Sequence, residues 1–198
     1  LQHYFTVETF RRDDLKALES GDEEVREKLQ DLDYLVIAVT LDGFEDVCTK
    51  LSSKLNTKTV VFDVCSVKVR PVQLMQKYFP NNQIIATHPV FGPQSAKAGL
   101  ENLKIVIENI SSNQETYQNV KSFLQDTLLL QVVEISKEDH DHQMAYVQGL
   151  SHFIAQALER MGIPDSPIAT YSYKQLLKLR ELIGKDSFEL FQTIENGN

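Results

Sequence analysis

The sequence predicts an α/β fold: a mostly parallel sheet with helices on both faces, followed by an all-helical domain. Three observations carry this reading. Short apolar runs rich in β-branched residues recur between Asp33 and Val133, segments of helical length separate them, and beyond residue 135 the strand-like runs stop. The domains are therefore placed at 1–135 and 136–198.

Taken in order, Tyr4-Phe5-Thr6-Val7 reads as a strand, and Phe10 to Gln30 reads as helix with an acidic turn around Gly21-Asp22. Strands follow at Tyr34–Val39, Thr59–Asp63, Gln83–Ala86, Lys104–Ile107 and Leu129–Val133. Their near-continuous apolarity predicts burial on both faces. Gly43–Leu55, Pro71–Tyr78 and Asn113–Asp126 have the length and amphipathicity of crossover helices. From Lys137 to Met161, apolar Met144, Val147, Ile154, Leu158 and Met161 recur at helical spacing and predict one long helix that Gly162 stops. Pro164 and Pro167 make a connector, and Ile168–Ile183 resumes a helical pattern.

Composition narrows the function classes. With 198 residues, 42% hydrophobic and 24% charged, the chain has ordinary globular usage and room for a real core. A net charge of -8 argues against a nucleic-acid partner. No ~20-residue apolar run predicts a membrane span, and Leu1 to Phe5 lacks the basic and apolar regions of a signal peptide. The two cysteines, Cys48 and Cys65, lie in apolar contexts without metal-like spacing, so they read as reduced thiols of a cytoplasmic protein.

In an open parallel sheet, ligands bind outside the carboxyl ends of the strands. Three polar loop starts follow such ends here: Thr40-Leu41-Asp42-Gly43, Val64-Cys65-Ser66-Val67-Lys68, and Thr87-His88-Pro89-Val90-Phe91-Gly92-Pro93. His88, fixed before a proline, suits general acid–base work near neutral pH. Its plainer alternative is a histidine satisfying backbone groups in a turn. Ser66 reads first as an N-cap of the following helix. Asp139-His140-Asp141-His142 resembles a metal-binding run, but residues two apart on a helix point ~200° from one another, so no metal is expected. At ~100° per residue, Asp141, Gln148, His152, Gln156 and Glu159 form one polar stripe on an otherwise apolar helix carrying Tyr146, Phe153 and Ile154. Such a helix would be mostly buried, with the stripe facing a wetted cleft or solvent. Arg180 could clamp a carboxylate, or could be a surface arginine paired with Glu181 or Asp186.

The series Asp63-Val64-Cys65-Ser66-Val67-Lys68, then His88-Pro89-Val90-Phe91-Gly92-Pro93, then His140-Asp141 through Gly149-Leu150-Ser151-His152-Phe153 resembles prephenate dehydrogenases and their arogenate-using relatives. The likeness runs from about Asp33 to Ile194. It implies a Rossmann-like dinucleotide-binding domain and a helical substrate and dimerisation domain. The implied reaction is NAD- or NADP-dependent oxidative decarboxylation of prephenate to 4-hydroxyphenylpyruvate, or of arogenate to tyrosine, in a homodimer. By resemblance, His88 takes the proton of the ring hydroxyl and Ser66 hydrogen-bonds beside it. His152, Arg180, Gln148 and Ser151 are implied to bind substrate, while Val39, Thr40, Ser66, Pro89 and Arg11 are implied to bind the cofactor. Thr40 stands where the family often has proline. A dinucleotide fold of this kind opens with a strand and G-x-G-x-x-G. The eight glycines here form no such motif, and Tyr4–Val7 falls where the family's second strand would lie. The chain therefore reads as lacking the first strand, its glycine loop and the later dimerisation helices. The same departure leaves open a non-catalytic binding or regulatory relative of the same fold, and another hydroxyacid-type hydride-transfer enzyme is a third reading.

Overall fold

The computed structural model describes residues 3–92 and 95–183. Pro93 of the His-Pro motif, Asp186 and the part of the helical domain beyond residue 183 lie outside the described residues. Five strands form one sheet in the order β1 (Tyr34–Ile37), β2 (Val60–Asp63), β3 (Gln83–Pro89), β4 (Lys104–Asn109) and β5 (Gln131–Glu134). Adjacent strands are parallel except for β3 and β4. That exception follows from the connection: among the described residues the chain between β3 and β4 holds only a 3-10 turn, Ser95–Ala98, and a parallel crossover usually needs a helix.

Two helices precede the sheet, α1 (Arg12–Glu19) and α2 (Glu23–Gln30), joined by the predicted acidic turn. Gly21 takes φ +91° there, and the Asp22 carboxylate caps α2 by accepting from the Val25 amide at 3.2 Å. Crossover helices α3 (Leu41–Leu51) and α4 (Val69–Tyr78) link β1 to β2 and β2 to β3. After β4 comes α5 (Gln114–Ser122), which ends in a π turn at Phe123–Thr127.

Alternation along the strands builds a core on each face. Leu35, Ile37, Val61, Ile84 and Ala86 meet α1 to α4 through Leu15, Leu29, Phe44, Met75 and others. Val60, Phe62, Ile85, Ile105 and Ile107 meet Tyr117 of α5 on the opposite face. Helices on both faces are thus borne out. The expected two-sided burial fails at both edge strands: at β1, where Tyr34 and Val36 are exposed because α5 covers β2 to β4 and does not reach this edge, and at β5, where Val133 is exposed.

Tyr4–Val7 is not a strand. Tyr4 and Phe5 instead pack edge-to-face on Phe123, and Phe5 also on Tyr34, with centroids 5.2 to 5.9 Å apart. Aromatic contact over the open face of β1 takes the place of ladder pairing. The carboxyl-terminal part is helical as expected. Among the described residues it holds α6 (Lys137–Met144), α7 (Ser151–Met161) and α8 (Tyr171–Ile183), and Gly162 ends α7 in the left-handed conformation. The predicted single helix from Lys137 to Met161 is interrupted by a π turn at Ala145–Leu150.

Candidate active site

β1, β2 and β3 are parallel neighbours, so the segments after β1 and β2 and the end of β3 open on one edge of the sheet. His88 is not in a loop. β3 runs on to Pro89 because the antiparallel β4 continues the pairing, with His88 opposite Val106. The buried imidazole projects from a rigid strand, and its Nδ1 lies 2.9 Å from Nε2 of His140 on α6. The rings meet edge to face at 5.1 Å. His140 Nδ1 in turn lies 2.7 Å from Asp141 Oδ1.

Asp141 ties this pair to the sheet. Its carboxylate accepts the backbone amides of Lys68 at 2.7 Å and Val69 at 2.8 Å, which are the first amides of α4. A helix normally fills this need with a side chain just before it, and Ser66 was the expected cap. The helix begins two residues later than that reading requires, with Lys68 at the N-cap position, and a carboxylate 73 residues away does the capping. Ser66 is thereby left half-buried at the sheet edge, with no side-chain hydrogen bond among the described residues.

Beneath His88, the Lys68 ammonium binds the Asp63 carboxylate and donates to the Thr87 carbonyl at 2.5 Å. Both charged groups are buried, at 2% and 0% exposure. Asp63 also accepts from the amides of Cys65 at 3.0 Å and Thr87 at 3.3 Å. Burial, the neighbouring His140 and the Lys68 charge lower the His88 pKa to about 3, so the ring is neutral at physiological pH.

That depression carries a stability prediction. The unfolded chain binds a proton at this ring near pH 6.5 and the folded chain only near 3. Above pH 6.5 the ring is neutral in both states and takes nothing from stability; as pH falls toward 3 it costs up to ~1.4 kcal/mol per pH unit. Urea unfolding of wild type and His88→Asn from pH 7 to 4 should show the variant with the shallower decline. Parallel curves would mean that His88 is not held neutral by the fold.

Most of the helical stripe turns inward, with Asp141 and His152 buried and Gln148 and Gln156 half-buried, but the expected burial of the apolar remainder fails. His140, Asp141, Met144, Gly149 and His152 face inward, while Tyr146 and Phe153 are 64% and 56% exposed and Glu159 is also exposed. A π turn holds one residue more than an α turn and shifts the phase by one position, ~100°. The shift aligns His140, in place of Asp141, with His152. His152 Nδ1 lies 2.9 Å from the Gln148 carbonyl, and Ser151 Oγ donates to the Val147 carbonyl at 2.9 Å. Gln148 Oε1 is buried and accepts no hydrogen bond among the described residues, an arrangement that typically costs ~1–3 kcal/mol and leaves an acceptor for a ligand donor.

Arg180 sits on α8, but it pairs with neither Glu181 nor the sheet edge. Its Nη1 donates to the Ile163 carbonyl at 2.6 Å and its Nε lies 3.7 Å from Glu159, at the far end of α7. Glu159 is seven residues beyond His152, ~10 Å along the axis. Val39 and Thr40 are exposed after β1, directly ahead of α3, and Pro89 ends β3, so these residues share the edge with Ser66 and His88. Arg11 lies elsewhere, exposed at the start of α1, where its amide donates to Asp14 at 2.6 Å. Sequence reasoning missed the roles of Asp63, Lys68, His140 and Asp141. An ionisable pair inside a buried run signalled the first two; no local signal gives the capping of α4 by Asp141 across 73 residues or the π shift that aligns His140 with His152.

Comparison with known proteins finds relatives of this chain. The family model described as "Prephenate dehydrogenase, nucleotide-binding domain" matches residues 6–128. A second, "TYRAAT1-like, C-terminal domain", matches residues 157–195. Arogenate dehydrogenase 2, chloroplastic, from Arabidopsis thaliana is 34% identical over 166 residues, which is 80% of this chain and 46% of that protein. Arogenate dehydrogenase 1, chloroplastic, from the same plant is 32% identical over 80% of this chain and 26% of its own length. The chain thus spans less than half the length of these curated relatives. Among solved structures, prephenate dehydrogenase from Aquifex aeolicus in complex with hydroxyphenyl propionate and NAD+ shares the fold at a TM-score of 0.67. It is 18% identical, with 92% of this chain and 69% of that one covered.

Proposed function

The chain belongs to the prephenate dehydrogenase family, and from that premise we propose that the protein carries out NAD- or NADP-dependent oxidative decarboxylation of prephenate to 4-hydroxyphenylpyruvate. The observation that carries this reading is His88: a neutral imidazole, tied among the described residues at Nδ1 alone, at the carboxyl edge of the sheet. Its Nε2 is left to accept the proton of a ring hydroxyl. Ser66, without a side-chain partner among the described residues, would hydrogen-bond that hydroxyl. The open acceptor of Gln148, with His152 and Ser151 on the same helical stretch, would contact the substrate body. Arg180 would hold a substrate carboxylate by exchanging Glu159 for it.

The edge also fits a dinucleotide. The Thr40 side chain does not cap α3, so this helix start, with exposed Val39 and Thr40, shares the edge with Ser66 and Pro89 and suits an anionic cofactor group. When bound, the nicotinamide supplies the hydride acceptor. The Aquifex aeolicus structure with NAD+ supports this choice of cofactor; Arg11 on α1 is the residue we assign to the adenosine end. We divide the protein into a dinucleotide-binding part, 1–135, and a helical part, 136–198. We also propose a homodimer, since the exposed Tyr146, Val147, Leu150 and Phe153 offer an apolar face to a second copy.

Arogenate is the second reading of the substrate, favoured by the names of the two Arabidopsis relatives. Among the described residues no helix is long and apolar enough to cross a membrane. Cys48 and Cys65, each pushed up to about 12 mainly by burial, are inert thiols suited to a reducing compartment. A cytoplasmic location is proposed on that ground.

The test is nicotinamide reduction by the intact protein with prephenate and with arogenate, each in NAD and NADP, on a sample whose mass is read by light scattering. Turnover of one substrate and a dimeric mass are expected. Dinucleotide binding without turnover of either substrate would overturn the enzyme in favour of a binding relative.

A further inference from the structure

Resting on the dehydrogenase reading, the hydrogen-bond directions in the buried network point to more than a single base. We propose that His88 and His140 form a two-step proton relay: as His88 Nε2 takes the substrate hydroxyl proton, His88 passes its Nδ1 proton to His140 Nε2, and the positive charge comes to rest on His140 against Asp141. His140 and Asp141 are then positioning residues, acting on substrate only through His88.

The directions follow from donors and acceptors alone. Asp141 receives two backbone amides, which can only donate, at 2.7 and 2.8 Å. A carboxylate met by two such donors acts as an acceptor toward its neighbours. The 2.7 Å contact with His140 therefore has the proton on His140 Nδ1. In the neutral ring this leaves a lone pair on Nε2, which at 2.9 Å must accept from His88 Nδ1. His88 Nε2 is then unprotonated, as a base requires. The tautomer of the base is fixed from α4 through Asp141 and His140, across elements far apart in sequence.

The second transfer answers a difficulty in the site. An imidazole buried above Lys68 and Asp63 is poorly placed to keep a positive charge. His140 is better placed, because Asp141 touches it directly. Protons balance: His88 gains one at Nε2 and loses one at Nδ1, ending neutral in its other tautomer, and His140 gains one to become an imidazolium. The charged groups facing the pair are Asp141 from α6, Lys68 from the start of α4, and Glu108 of β4 with Lys137 on the His140 side.

Nitrogen-15 spectra of the histidine rings in the intact protein test the resting state without substrate, so they stand apart from the question of activity. At neutral pH, His88 and His140 are both expected to carry hydrogen on Nδ1 and a bare Nε2. A His88 protonated at Nε2, or a charged resting His140, would overturn the relay. His140→Gln leaves the Asp141 cap of α4 in place and should still fold, whereas Asp141→Asn weakens that cap. In His140→Gln the Nε2 signal of His88 should move toward the protonated form. Its kcat should fall ~10–100-fold at unchanged KM, and a curved dependence of kcat on solvent deuterium in wild type should become linear. An unchanged His88 tautomer with unchanged kcat would leave His140 a packing residue. Turnover of neither substrate by wild type, with the expected tautomers present, would overturn the dehydrogenase reading and leave the resting-state assignment standing.

Discussion

Replacing His88 by asparagine is expected to lower kcat by ~10²–10⁴-fold while dinucleotide affinity stays unchanged. The size follows from what the substitution removes. An asparagine amide can still donate to His140 Nε2 from nearly the position of the imidazole Nδ1, so the 2.9 Å contact and the packing of α6 on the sheet have a substitute. What is lost is Nε2, the lone pair at the sheet edge. The proton of the substrate hydroxyl then has no acceptor but water, a loss of ~3–5 kcal/mol of transition-state stabilisation. Turnover with the better of prephenate and arogenate, together with fluorescence titration of the dinucleotide, measures both halves of the expectation. Activity within tenfold of wild type would remove His88 from the base role. Simultaneous loss of cofactor binding would mean that the substitution had collapsed the edge and tested nothing about proton transfer, which the unfolding curves of the same variant would reveal.

The strands were legible because burial in a sheet is written locally. Val60-Val61-Phe62, Ile84-Ile85-Ala86 and Ile105-Val106-Ile107 have no reading other than core, and each forms part of a strand in its expected place. His88 and Ser66 were legible as candidates for a related reason: both follow such a run, where a parallel sheet presents its residues to a ligand. Their surroundings were not legible. Whether β3 stops at Ala86 or reaches Pro89 depends on the strand that pairs with it, and β4 lies beyond an intervening loop. The capping of α4 by Asp141 arises across 73 residues, so the local serine looked like the better cap. The face of the long helix turned on a single extra residue. A periodicity argument assumes one constant turn, and the π turn at Ala145–Leu150 breaks that assumption where the inward-facing histidines sit.

The buried ion pair under the site carries the largest expected effect on stability. Lys68 and Asp63 are removed from water, and their attraction offsets the desolvation only while both are present. Lys68→Met leaves the Asp63 carboxylate with the Cys65 and Thr87 amides but no countercharge, and is expected to cost ~3–5 kcal/mol. Asp63→Asn should cost a similar amount, since it strands an ammonium whose remaining partner is the Thr87 carbonyl. The two losses should not add: in the double variant neither charge is left unpaired, and a good part of the stability should return. Urea unfolding of the three proteins closes the cycle. Single variants within ~1 kcal/mol of wild type, or strictly additive losses, would show that the pair is not a buried, mutually dependent unit. The cycle also bears on the base, because the Lys68 charge is one of the groups that keep His88 neutral. With Lys68→Met the His88 ring should accept a proton at higher pH than in wild type, and the double variant, which also removes the opposing Asp63 charge, should shift less. The ion pair thus links the stability of the β2–α4 connection to the proton affinity of the site above it, which is a physical reason for a fold to keep two charges in its core.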